Sequence, residues 1–178
     1  MIYLTFVFAV LTRAFSEPHV PLFTPVFGAL LFAGARLKRR DAVWFPVMVL
    51  AVCDWILTTC VFHMKMQWGH SVTLVGFAAM AGIGGFLRHS FTVARFTGCA
   101  IAAPTAYFLI SNFGVWFCWS LYPHTWTGLI ACYVAGLPYY RNSLFSTFVI
   151  GAVLFGGHEL LSRRLNGKHF EPEPAPAN

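Results

Sequence analysis

The sequence is poor in charge. Of 178 residues, 12 are Lys or Arg and 6 are Asp or Glu, so charged side chains make up 10% of the chain. An ordinary soluble domain carries roughly 25%, and so small a stock cannot cover a globule. The same scarcity excludes a disordered chain, a coiled coil and a nucleic-acid-binding surface. The five cysteines, Cys53, Cys60, Cys99, Cys118 and Cys132, show no C-x-x-C spacing and lie inside apolar runs. That is the setting of small apolar packers rather than of a disulfide framework. Also missing are an H-E-x-x-H helix, a nucleophile elbow, a phosphate-binding loop and carboxylates paired at useful spacing. The chain is therefore not expected to be an enzyme or to hydrolyse ATP, and no cofactor is expected. The opening run MIYLTFVFAVLTRAF lacks a basic lead and a small-residue cleavage site, so it reads as a retained helix rather than a signal peptide.

What is present is apolar. Hydrophobic residues make up 58% of the chain, with 19 Phe and 6 Trp, and the mean hydropathy is +0.67. A helix needs about 20 apolar residues to cross a bilayer. Six runs qualify or come close: 1–15, 20–35, 43–62, 71–87, 98–120 and 143–161. The apolar stretch 125–137 is short for a span and suits a re-entrant or interfacial helix. The expected fold is an all-α integral membrane protein, a six-helix transmembrane bundle with that short helix between the fifth and sixth spans. One transmembrane domain would cover residues 1–165, followed by a Pro-rich disordered tail, 166–178.

The basic residues orient this bundle. With the amino terminus inside, Arg36, Lys38, Arg39, Arg40, Arg88, Arg95, Arg163, Arg164 and Lys168 fall on the inner side, and Arg13, Lys65 and Arg141 on the outer. The expected location is the cell inner membrane with both termini cytoplasmic. The cationic loops act first as topology signals and second as contacts for anionic membrane lipids.

Small residues recur four apart: Ala29 and Ala33, Ala78 and Gly82, Ala81 and Gly85, Ala152 and Gly156. They serve either packing within the bundle or docking of a partner subunit. Asp54, the one acid deep inside a span, is either a substrate or proton contact or a buried hydrogen-bond anchor. His158 and Glu159 fall near the inner interface. His63, Met64, Met66 and His70 offer soft ligands without a tight pairing. The densest region runs from Ser111 to Ser146. Trp116, Tyr122, Trp126 and neighbouring tyrosines fit an aromatic belt at the outer interface. Asn112, His124, Arg141 and Asn142 fit better in a mostly apolar small-molecule pocket. The expected pocket lining is Asp54, Asn112, Trp116, Tyr122, His124, Trp126, Arg141 and Asn142.

Several segments carry a resemblance. LFTPVFGALLFAG (22–34), Cys53-Asp54, SNFGVW (111–116), YPHT (122–125) and GLIACYVAGLPYYRNS (128–143) are similar to motifs of an uncharacterised family of small bacterial integral membrane proteins. That family in turn resembles the S-components, the substrate-binding subunits, of energy-coupling-factor (ECF) transporters. The likeness covers about 22–159. It implies a six-helix bundle that captures a small molecule, such as a vitamin or cofactor precursor, from outside. It also implies an energising module, an ATPase with a transmembrane coupling subunit, as partner. Two features depart from it: Arg13 stands four residues after Ala9, where S-components carry a docking alanine, and Thr147 stands where the related family tends to have an acid. The resemblance also marks Cys60 as a candidate cobalt ligand. The alternative function is a structural or assembly subunit of a larger membrane complex. A third makes His63, His70 or Cys60 the working residues of a membrane enzyme or of a haem or metal handler.

Overall fold

The computed structural model describes residues 2–4, 6, 7, 10, 25–61, 63, 69–88 and 90–167. A chain with few polar side chains must satisfy its backbone groups internally, and the α-helix does so locally. The described residues form helices and short connections, with no strand among them. After helical residues at 2–4, 6, 7 and 10, α1 is Pro25–Arg36 and α2 is Asp41–Ile56, the latter continued by a π-helical turn, Leu57–Val61. Helix α3 is Gly69–Gly84, closed by a 3₁₀ turn, Gly85–Leu87. Helix α4 is Val93–Cys118 and α5 is Trp126–Gly167. Four stretches are long and apolar enough to cross a membrane: Asp41–Cys60, Gly69–Leu87, Val93–Cys118 and Trp126–Ser162. Helix α1, with 12 residues, is about 18 Å long.

Helix α1 forms the axis of the bundle. Every residue from Val26 to Ala35 is buried, with α3 and α5 as its main neighbours. Its small residues permit this. A Cβ on Gly34 would lie 1.9 Å from the Ala81 carbonyl oxygen, and one on Gly84 would lie 2.4 Å from that of Leu31. The α1–α3 crossing is thus backbone against backbone, the close approach that small-residue pairs make possible. On the other side, a Cβ on Gly28 would lie 2.7 Å from the Ile150 Cβ. Ala29, Ala33 and Ala81 are buried in these contacts, whereas Ala152 and Gly156 face outward.

The connections are set by ordinary caps. Thr92 accepts a hydrogen bond from the Arg95 amide at 3.3 Å, starting α4. Thr125 accepts one from the Gly128 amide at 3.2 Å, starting α5. Stretches 125–137 and 143–161 were expected to be separate helices; they lie on one continuous helix of 42 residues, about 63 Å long. Pro138 lacks the N–H that would bind the Val134 carbonyl, yet the helix runs through it. The polar run that suggested a boundary, Arg141-Asn142-Ser143, needs no loop. Asn142 and Ser143 line a cavity and Arg141 is exposed.

The two ends of the bundle differ. At one, the Tyr3 hydroxyl donates to Asp41 at 2.6 Å, Arg88 donates to the Gly34 carbonyl at 2.8 Å, and the Arg36 guanidinium lies 5.9 Å from the Phe155 ring centroid. These contacts bring Arg36, the 38–40 connection, Arg88 and the late turns of α5 to the same end. At the other end the start of α3 meets the 119–125 connection: a Cβ on Gly69 would lie 2.5 Å from the Trp119 indole nitrogen. Arg13, Lys65, Lys168 and the tail from 168 onward lie outside the described residues.

Candidate functional site

Four helices leave a cavity of about 410 Å³ between them. Val26 and Phe27 come from α1, Phe77 from α3, Tyr107, Phe108, Ser111 and Asn112 from α4, and Gly136, Tyr139, Tyr140, Asn142 and Ser143 from α5. Along α4 it lies about 9 to 16 Å from the helix end at Cys118, from the 1.5 Å rise per residue. The volume falls within the roughly 300–1,000 Å³ of small-molecule sites.

Aromatic rings form one wall. Tyr107 stacks on Phe77 at 5.1 Å and 15° and meets Phe27 at 4.9 Å. Phe108 packs on Tyr140 at 4.9 Å and on Tyr133 at 5.5 Å. Beside Phe108 the lining depends on Gly136, where a Cβ would lie 2.5 Å from Asn112 Oδ1 and 2.9 Å from the Phe108 ring. Asn112 is held by its own Nδ2 donating to the Phe108 carbonyl at 2.8 Å. Its backbone carbonyl accepts from the Cys132 thiol at 3.4 Å. The Tyr133 hydroxyl donates to the Leu109 carbonyl at 2.8 Å, and together these bonds tie α4 to α5.

The lining contains no Asp, Glu, Lys, Arg or His, and its hydroxyl protons are largely engaged. Ser143 donates to the Tyr139 carbonyl at 2.8 Å and Ser111 to that of Phe108 at 3.4 Å. Thr105 donates to the Ile101 carbonyl at 2.7 Å. In its 2.8 Å contact with Tyr140, Thr105 is therefore the acceptor and Tyr140 the donor. Ser111, Tyr140 and Ser143 are left with oxygen lone pairs to offer, because each hydroxyl has one proton. Asn112 keeps one further N–H beside its carbonyl oxygen.

Of the residues expected from sequence, Asn112 and Asn142 line this cavity. Asp54 is 7% exposed, but it lies on α2, which contributes nothing to the lining. Arg141 is exposed, one residue from Asn142 on the helix. Trp116, Tyr122, His124 and Trp126 collect at the end of the bundle. There the Trp116 indole donates to the Pro123 carbonyl at 3.0 Å and packs on His124 at 5.4 Å. Trp126 is 81% exposed. The lining residues that sequence reasoning missed are chiefly Phe27, Phe77, Tyr107 and Phe108. Tyr107 carried a usable signal: tyrosine favours membrane interfaces, and this one stands 11 residues from the end of α4. Among the described residues, no three His, Cys, Asp or Glu side chains gather as a metal would require. His63 is exposed, in a left-handed backbone conformation with φ 51°; Met64 and Met66 lie outside the described residues.

Fold and cavity together define a helical bundle with four helices of membrane-crossing length and an uncharged, aromatic-walled pocket among them. By sequence the chain belongs to the family described as "Family of unknown function (DUF6580)", whose model matches residues 1–173. No curated protein and no solved structure matches it.

Proposed function

We propose that the protein is a membrane-embedded substrate-binding subunit of a small-molecule uptake transporter, working by capture rather than by chemistry. The observation that carries this reading is the cavity itself, lined by aromatic rings and hydrogen-bond acceptors and by no charged residue. Such a lining suits a neutral, flat molecule with N–H or O–H donors on its edge. A charged ligand would lose its hydration with no opposite charge in return.

The wider reading follows the distribution of charge and length. Arg36, Lys38, Arg39, Arg40, Arg88, Arg95 and Arg164 belong to connections or helix turns at the same end, which the positive-inside tendency assigns to the cytoplasm of a bacterial inner membrane. We take residues before α1 together with α1 as the first two of six spans, with both termini inside. At about 63 Å, α5 is twice the roughly 30 Å hydrocarbon core. Its first turns would then lie in the outer interface, with the cavity opening on the outer half. Uptake would draw energy from a separate ATPase and coupling subunit, as in the ECF transporters the sequence resembles.

A thermal-shift panel in detergent tests the ligand class. At a hundredfold excess over Kd, a fitting neutral ring compound should stabilise the protein by about 2.7 kcal/mol, raising Tm by about 5–10 °C. Carboxylated or cationic analogues should leave Tm unchanged, and the reverse order would refute the assignment.

One observation favours the second reading, an assembly subunit. Ala152, Gly156 and Gly157 are exposed on α5, and a Cβ on either glycine would meet nothing within 4 Å, leaving a flat face suited to another helix. Cross-linking from this face separates the two: capture of a stoichiometric membrane subunit other than an energising module supports assembly.

A further inference from the structure

The basic end carries an inference independent of the ligand cavity. A recess of about 780 Å³ between the end of α3 and the start of α4 is lined by Gly82, Gly85, Phe86, Arg95, Gly98 and Cys99. A second, of about 230 Å³, shares Gly82 and Gly85 with it and brings in Arg39 and Arg88. The shared glycines make the two recesses one groove. A Cβ built on Gly82, Gly85 or Gly98 would meet nothing within 4 Å, so no described part of the chain fills the trough these residues leave. Phe86, 73% exposed, supplies an apolar wall.

The end of the groove is cationic. Arg39 and Arg95 are exposed and Arg88 is half-buried, and no Asp or Glu lines either recess. Arg95 donates to the Ser90 hydroxyl. Arg88 donates from Nη2 to the Gly34 carbonyl, while its Nε is buried with no acceptor among the described residues. Arg39 and Arg88 line the smaller recess and Arg95 the larger, so the adjoining recesses gather positive charge that an anion would neutralise, and guanidinium matches phosphate oxygens in shape and charge. Toward Cys99, about 9 Å into α4 from Val93, the lining turns to glycine and thiol. A free phosphate would satisfy the arginines and leave this apolar length empty.

We propose that the groove holds an anionic phospholipid, its phosphate between Arg39, Arg88 and Arg95 and one acyl chain along Gly82, Gly85 and Gly98 against Phe86. Native mass spectrometry of delipidated full-length protein, titrated with phosphatidylglycerol or phosphatidylcholine, tests it. Phosphatidylglycerol should be retained preferentially, and Arg39→Gln and Arg95→Gln should each weaken retention about fivefold. Gly98→Leu should abolish retention while leaving the Tm of the lipid-free protein within about 2 °C, since the new side chain enters open space. Gly82→Leu repeats the test from α3. Equal retention of the two lipids, retention unmoved by these variants, or equal stabilisation by inorganic phosphate alone would overturn the proposal. The last outcome would make the site one for a free anion.

Discussion

Gly34→Val is expected to lower Tm by about 6–12 °C, a loss of about 3 kcal/mol or more. The position is helical, so removing glycine brings a propensity gain, but of less than about 1 kcal/mol. Against it stands a Cβ placed 1.9 Å from the Ala81 carbonyl oxygen and 3.1 Å from the Gly84 Cα. Both are backbone atoms, and no rotamer change relieves them. Helices α1 and α3 would have to separate along a crossing that buries Leu30, Leu31 and Ala81. Gly156→Ala is the matched control. Its new methyl meets nothing within 4 Å, so the propensity gain stands alone and Tm should rise by about 2–4 °C. Thermal unfolding of both variants in one detergent checks the pair. Equal effects would mean that α1 does not hold the axis of the bundle.

The second large effect belongs to the cavity. Gly136→Leu should weaken ligand binding at least about a hundredfold, or about 2.7 kcal/mol, removing the thermal shift a fitting neutral compound produces. The isobutyl group would enter the space between α4 and α5 and displace the Asn112 amide, whose oxygen lies 2.5 Å from the new Cβ. The displaced atoms are the tip of one side chain and an edge of the Phe108 ring at 2.9 Å, and both can turn. The fold should therefore survive with a loss of about 1–3 kcal/mol. Isothermal titration of the variant, beside its own melting curve, separates loss of binding from loss of structure.

Much of the helical frame was legible because it follows from local composition. The apolar runs at 43–62, 71–87 and 98–120 became Asp41–Cys60, Gly69–Leu87 and Val93–Cys118, differing by a few residues at their ends. The grouping of Arg36, Arg39 and Arg88 was legible too, because consecutive crossings return alternate connections to the same side. The continuity of α5 was not. Pro138 and the polar run Arg141-Asn142-Ser143 look like a break, and only the neighbouring helices reveal that Asn142 and Ser143 face an interior space. The cavity was half legible. Asn112 and Asn142 stood out as amides in apolar surroundings. Phe27, Phe77 and Tyr107 did not stand out, because an aromatic ring facing lipid and one facing a pocket look alike until four helices are assembled. Asp54 stands apart: it is buried on α2, a helix that contributes no residue to this cavity.

The most direct test is native mass spectrometry of gently purified full-length protein and of Gly136→Leu, both released from the same detergent. A small uncharged organic molecule should accompany the first and be missing from the second. A bare wild-type chain, or an identical adduct on both, would contradict a ligand-holding cavity between α1, α3, α4 and α5.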